Sequence, residues 1–303
     1  MERVRVYPDI KTQAASHSNA MPSKVVKSQD FDAAMDRGLA PEHFKYRFLA
    51  EGDSWMERSS ALTPSLPEHL ARAMDIGGDE VLIVNLALYG DTMRRIGQTL
   101  SGDFEMWLNT SFNWKFDAIL LSAGGNDFID AARDPPPGQG ILQDMVGRQI
   151  PARGADCLNQ AALDKLELEY LDPNFARLYG MVQASRHADV PILLNQYDTP
   201  VARPAPAPPG KKAWLHEAYV KNSIAPALWT DLTDTLFAEL RQAIEEWALD
   251  RANVHVVPTH GLLRPAQSGS SGDNGDWINE IHPNAKGWKK LATSWRQTLR
   301  ATL

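Results

Sequence analysis

Apolar residues along this chain gather in short unbroken runs that stop abruptly at polar, glycine-bearing turns. Phe48-Leu-Ala50 leads into Glu51-Gly-Asp-Ser54. Val81–Leu88, apolar apart from Asn85, closes at Tyr89-Gly-Asp-Thr92, and Phe116–Ser122 closes at Ala123-Gly-Gly-Asn-Asp127. Runs that do not alternate with polar positions read as strands buried on both faces, as in a parallel sheet. Pro191–Tyr197 and Asn253–Val257 predict a fourth and a fifth strand. Helical spacing fills the intervals. Ser65-Leu-Pro-Glu predicts a capped helix start, continuing through Leu70 and Met74 to the stop at Gly77-Gly78. Met93–Leu100 looks helical, and Asn174–His187 sets Phe175, Leu178 and Val182 on one face. Over Asp231–Asp250, Leu232, Leu236, Leu240, Ile244 and Trp247 recur every three or four residues. A last helix from Pro283-Asn284 buries Trp288, Leu291, Trp295 and Leu299, with Arg296 and Arg300 suited to its C-terminal dipole. Strand, polar turn, helix, repeated, is the rhythm of a doubly wound α/β sheet.

Three stretches break that rhythm. Residues 1–44 read as an N-terminal extension wrapping the surface, with a short helix around Phe31–Arg37, and residues 45–303 as the domain proper. Insertions are expected at about 131–172, which includes Asp134-Pro-Pro-Pro-Gly-Gln-Gly140, and at about 200–229. Asp198–Gly210 carries too many prolines for a helix or a central strand and predicts a semi-rigid loop on the edge where the turns lie. Ser268–Asp276 is Gly/Ser-rich and expected to be mobile.

Composition narrows the function. At 303 residues, 43 % hydrophobic and 23 % charged, the chain matches an ordinary globule with a sizeable core. A net charge of −7 gives no footprint of a nucleic-acid binder. No apolar run is long enough to span a membrane. The single cysteine, Cys157, excludes an internal disulfide framework. The polar first 20 residues lack the apolar core of a secretory signal, so a cytoplasmic address is the default, although a processed secreted chain would look the same. His255 and His260 invite a metal reading, but no acidic or cysteine ligands stand at zinc spacing beside them, and neither metal nor cofactor is expected. Phosphate-loop, dinucleotide-fold, nucleophile-elbow and H-E-x-x-H motifs are all missing.

What remains is the set of polar strand ends. A serine past a strand end is either a helix cap or a group presented at the ligand-binding edge of an open sheet. Taken together, Gly52-Asp-Ser54, Asn85…Gly90-Asp-Thr92, Gly124-Gly-Asn-Asp127 and Asn279-Glu-Ile-His282-Pro283 resemble the SGNH (GDSL-type) hydrolase superfamily. The resemblance runs from about Tyr46 to the C-terminus. It implies a three-layer α/β/α sandwich with a five-stranded, mostly parallel, flavodoxin-like sheet. It also implies Ser54 as nucleophile, His282 as its base, and an oxyanion hole formed by the N–H of Ser54, the N–H of Gly90 and the amide of Asn126. The chemistry is consistent: a serine hydroxyl needs an imidazole to take its proton, and the developing oxyanion needs preorganised donors.

Two positions depart from the family pattern. Asn279 stands where an aspartate is usual, three residues before the histidine. Asn279 fills that slot, or Asp276 swings in from the loop, with Glu280 a weaker candidate. Trp55 follows the nucleophile where leucine is usual and is expected to pack beneath the turn; Asp53 is expected to hold it. The implied activity is hydrolysis of a small-molecule carboxylic ester of small to medium acyl size through an acyl-enzyme. A lipase or phospholipase-like enzyme comes second and a carbohydrate O-acetyl esterase third. A non-catalytic glycan- or lipid-binding relative is the other class. Trp107, Trp114, Phe128, Trp214 and Trp229 either wall an acyl pocket or, more simply, anchor local packing. The oligomeric state is not encoded in these patterns.

Overall fold

A computed structural model describes residues 22–57, 64–99, 101–110, 112–134, 140–207 and 210–303. Residues 1–21 of the N-terminal extension, most of the Asp134–Gly140 turn and the tip of the proline loop lie outside these residues. The strands are β1 (Lys24–Lys27), β2 (Tyr46–Gly52), β3 (Val81–Asn85), β4 (Ala118–Ser122), β5 (Ile192–Asn195) and β6 (Val254–Val257). They form one sheet in the order β1-β3-β2-β4-β5-β6, with every pairing parallel. The five strands expected from the sequence lie in flavodoxin-like order, and the sixth extends the β3 edge. Lys24–Lys27 therefore belong to the sheet rather than to a surface extension. Four residues with two valines between lysines give too short a pattern to stand out, yet suit an edge strand.

The helices are α1 (Phe31–Asp36), α2 (Leu66–Ile76), α3 (Ser101–Asn109), α4 (Gly125–Arg133), α5 (Gln160–Leu166), α6 (Asp172–Ala184), α7 (Leu215–Lys221), α8 (Trp229–Ala248) and α9 (Ala285–Thr302). α2 packs on α9, while α3, α6 and α8 pack in succession, giving the layers on either side of the sheet. α2 starts as its sequence predicts: the Ser65 Oγ and N–H both reach Glu68 Oε2, at 2.7 and 2.9 Å, and Pro67 sits in the first turn. The 131–172 stretch is more regular than expected. α5 runs through a wider turn at Glu167–Leu171 straight into α6, its start fixed by the Asn159 side chain accepting from Ala162 N. Short apolar spacing there was masked by charged residues on the exposed side. Phe31, Trp107, Phe112, Trp114 and Phe116 stack on one another within the core, so Trp107 and Trp114 are packing anchors, and Phe128 is fully buried in α4.

β2 is central, with β3 and β4 on either side, so the chain leaves it at the switch point of the sheet. Such points leave a crevice outside the carboxyl ends of the strands. Register keeps the ends level: Ala50 pairs with Asn85 and Gly52 with Ser122. Gly52 has φ +147°, and a Cβ there would lie 2.2 Å from the Ser122 carbonyl oxygen. Only glycine lets the two strands close so tightly before the chain turns into Asp53-Ser54.

Candidate active site

Ser54 sits on the tight turn after β2. The Asp53 carbonyl accepts from the N–H groups of Met56 and Glu57, each at 3.0 Å, and Asp53 Oδ1 accepts from Trp55 N at 2.9 Å. Asp53 thus builds the turn instead of facing the imidazole. Its carboxyl also accepts from the Tyr197 hydroxyl and, at 3.2 Å, from Ser122 Oγ. Burial pushes it up to about 7 despite these donors.

His282 arrives from the other end of the chain, on the loop before α9. Asn284 caps that helix, accepting from Lys286 N and Gly287 N at 3.0 and 3.1 Å, so the histidine lies just outside a fixed helix start. His282 Nε2 is 2.7 Å from Ser54 Oγ, and its Nδ1 is 3.0 Å from Asn279 Oδ1. The same Asn279 oxygen accepts from Ile281 N at 3.1 Å and His282 N at 2.9 Å. Two backbone N–H groups require an acceptor, so the amide oxygen faces the ring and Nδ1 carries the proton. The Nε2 lone pair is then free for the serine hydroxyl. Burial holds the imidazole down at about 4, which keeps it neutral and able to accept a proton.

The two alternatives to Asn279 are committed elsewhere. Asp276 accepts from Arg264 N at 2.7 Å and pairs with Lys290 Nζ at 2.5 Å, closing the loop that precedes the histidine. Glu280 turns away from the ring and accepts from the N–H groups of Arg203, Trp214, Leu215 and His216. Asn279, not Asp276, is the side chain against the imidazole. Asp276 sits in a tight ion-paired turn, so the Gly/Ser-rich sequence around it does not leave its side chain free.

Candidate donors to an oxyanion lie in the turns that follow β2, β3 and β4. Among the described residues, neither Ser54 N nor Gly90 N has a hydrogen-bond partner. Gly90 adopts φ +79°, and the space a Cβ would fill is open. Asn126, in the first turn of α4, gives one amide hydrogen to the Asp91 carbonyl at 2.9 Å and keeps the other. Asp127 beside it accepts from Met93 N at 2.7 Å, tying the turn after β3 to the start of α4. A narrow cleft opens from Ser54 and Asn126, walled by Ile129, Pro200, Phe237, Trp277 and Ile281.

Aromatic rings frame the histidine. Tyr89, half exposed, stacks on it with centroids 5.9 Å apart, and Trp214 meets it edge-on at 5.6 Å. Trp55 packs beneath the turn against Tyr197, Trp277 and Trp288, and its Nε1 donates to the Ile281 carbonyl at 3.2 Å. Trp229 instead packs on His216 and Tyr219. His255 lies on β6, and His260 follows in the next loop with Nδ1 3.5 Å from Asp198. No group of three or more metal-ligating side chains forms among the described residues. Tyr89, Tyr197, Asp127 and Arg203 all shape the site, and the sequence reading gave none of them a role in its chemistry; Trp214, read there as a pocket wall or a packing anchor, lies against the imidazole. Tyr197 carried a usable signal, being a polar residue at the carboxyl end of a predicted strand.

A parallel α/β sandwich with a serine, an imidazole and an amide joined at the switch point defines an SGNH hydrolase. The pattern of the GDSL-like lipase/acylhydrolase family matches residues 50–290, and the chain belongs to that family. Among solved structures it is similar to the lipase Lip_vut3 from a goat rumen metagenome, with TM-score 0.51, 13 % identity, and coverage of 83 % of this chain and 96 % of that one. It also resembles a putative acylhydrolase of Bacteroides fragilis, with TM-score 0.46, 14 % identity, and coverage of 90 % and 96 %. A family 3 carbohydrate esterase of Clostridium thermocellum gives TM-score 0.44, 16 % identity, and coverage of 84 % and 98 %. No curated protein matches the chain. No helix among the described residues is long and apolar enough to cross a membrane.

Proposed function

We propose that the chain hydrolyses carboxylic esters of small to medium acyl size through an acyl-enzyme on Ser54. The observation that carries this reading is the continuous line Ser54 Oγ, His282 Nε2, His282 Nδ1, Asn279 Oδ1, with separations of 2.7 and 3.0 Å. As Ser54 Oγ bonds to the ester carbonyl carbon, its proton passes to Nε2. The carbonyl π electrons move onto oxygen, which the N–H groups of Ser54 and Gly90 and the free Asn126 amide hydrogen receive. Collapse breaks the bond to the alcohol, and Nε2 returns the proton to that leaving oxygen. Water then repeats the sequence on the acyl-enzyme, freeing the acid and Ser54.

Asn279 fixes the productive tautomer without supplying a negative charge to the imidazolium. The family's usual aspartate does both. Activity should therefore be present but modest in kcat. The narrow apolar cleft beside Ser54 suits a short acyl group. The test is hydrolysis of p-nitrophenyl esters from acetate to palmitate, with Ser54→Ala as control. Expected is turnover that falls with chain length and disappears in Ser54→Ala. Equal rates for the two proteins would eliminate the esterase reading and leave a non-catalytic binding relative.

A further inference from the structure

Tyr197 occupies a conformation that its bulk opposes. It has φ +56°, and of the three non-glycine residues with positive φ among those described (Tyr197, Ser223 and Asp250) it alone is buried, at 2 % exposure. A bulky side chain in the left-handed region is rare, and surroundings must fix it there. The surroundings in question are the two elements that carry the proposed chemistry.

On one side, the Tyr197 hydroxyl donates to Asp53 Oδ2, the carboxylate that builds the Ser54 turn. Ser122 Oγ, at the end of β4, lies 3.0 Å from the same hydroxyl and 3.2 Å from Asp53 Oδ1, closing a buried triangle. The ring packs under Trp55 at 4.9 Å between centroids. On the other side, the ring edge presses on Gly125, the residue before Asn126. A Cβ built on Gly125 would lie 2.9 Å from Tyr197 Cε1 and 3.1 Å from Cζ. One side chain thus spans from the turn after β2 to the first turn of α4. Burial and the neighbouring carboxylate hold the phenol well above its ordinary range, so it stays a donor.

We propose that Tyr197 is a positioning residue, setting the Ser54 turn at its working distance from Asn126 by bonding the first through its hydroxyl and abutting the second with its ring. The inference rests on the ester-hydrolase reading above. Its left-handed backbone is what brings the ring beneath the turn, and Gly125 is the clearance that admits it. Tyr197 borders the cleft, but its hydroxyl is spent on Asp53 and Ser122 and does not reach the reacting carbonyl.

Tyr197→Phe keeps the ring and removes only the hydroxyl, so it separates the two contacts. With p-nitrophenyl acetate, the expected result is a kcat lowered about tenfold, as the Ser54 turn shifts from its working distance to Asn126. KM should stay within about twofold, and labelling of Ser54 by a fluorophosphonate should slow in parallel with kcat. Unchanged kcat in a folded Tyr197→Phe protein would overturn the proposal while leaving the esterase reading intact. So would a loss confined to KM, or one that tracks the unfolded fraction. Failure of the wild-type protein to outpace Ser54→Ala would instead remove the esterase reading, and the proposal with it. Should Tyr197→Phe not fold, Ser122→Ala deletes the other hydroxyl of the triangle. It is expected to lower kcat about threefold with KM unchanged, and an unchanged kcat there would likewise refute the role.

Discussion

At the scale of single residues, the telling position is Asn279. Its oxygen is held by two backbone N–H groups as well as by the ring, so the tautomer of His282 is fixed by the loop itself. Asn279→Ala should lower kcat about tenfold or more, by freeing the ring to flip and to take the wrong tautomer. Asp276→Ala, which opens the turn to Lys290 and Arg264, should cost less activity than that. Steady-state kinetics of the two variants decide the order. Asn279→Asp should act in the opposite direction to Ala. A carboxylate at about 3 Å stabilises imidazolium, so the imidazole rises from about 4 by roughly 1–3 pH units. Protonated Nε2 cannot accept from Ser54, so the acid limb of kcat/KM should move upward by the same amount in a pH–rate profile. Asn126→Ala removes one oxyanion donor and should lower kcat on the order of 10²-fold with little change in KM.

At the scale of elements, the loop carrying Asn279 and His282 is clamped by buried charges from the proline-rich stretch. Arg203, fully buried, donates to the carbonyls of Asn279 and Gly272, each at 2.6 Å, while Glu280 accepts from four N–H groups, three of them at Trp214, Leu215 and His216 where α7 begins. Arg203→Leu leaves those carbonyls without their donor, while Glu280 keeps the backbone N–H of residue 203. It should destabilise by about 3 kcal/mol and lower kcat as the loop loosens, checked by denaturant melts alongside kinetics. This clamp also shows where sequence reading stops. The strands, α2, α8, α9 and the polar turns announce themselves through uninterrupted apolar runs, helical spacing and caps, all of which are local. Ser54, Gly90, Asn126 and His282 could be singled out because each sits at the end of such an element. Arg203 lies among prolines that signal only an irregular loop, and its acceptors are carbonyls some 70 residues away. Tyr197 owes its place to a backbone angle that its residue type disfavours. β1 is too short for a strand pattern to register. Long-range polar contacts and disfavoured angles leave no periodic trace.

At the scale of the whole molecule, buried ionisable groups tie stability to pH. Glu51 is pushed up to about 8, and Asp53 and Asp127 to about 7, each mainly by burial. A carboxyl whose folded value exceeds its unfolded value binds more protons in the native state between the two. Its contribution is complete below the unfolded value near 4 and is lost as pH rises through 7–8. His187 and His282, held down to about 4 by burial, act in reverse and weaken the fold as pH drops from 6.5 towards 4. Three carboxyls outweigh two imidazoles, so the melting temperature should be higher at pH 6 than at pH 8.5. Calorimetry or circular dichroism across that range checks the sign.

Ser54 and His282 stand 228 positions apart, and the second directly precedes α9, which packs on α2. On the proposed chemistry, the Ser54 hydroxyl stays an inert alcohol until the segment that carries His282 is in place. Acylation of Ser54 would then double as a readout of whether the segment from Asn279 into α9 has docked.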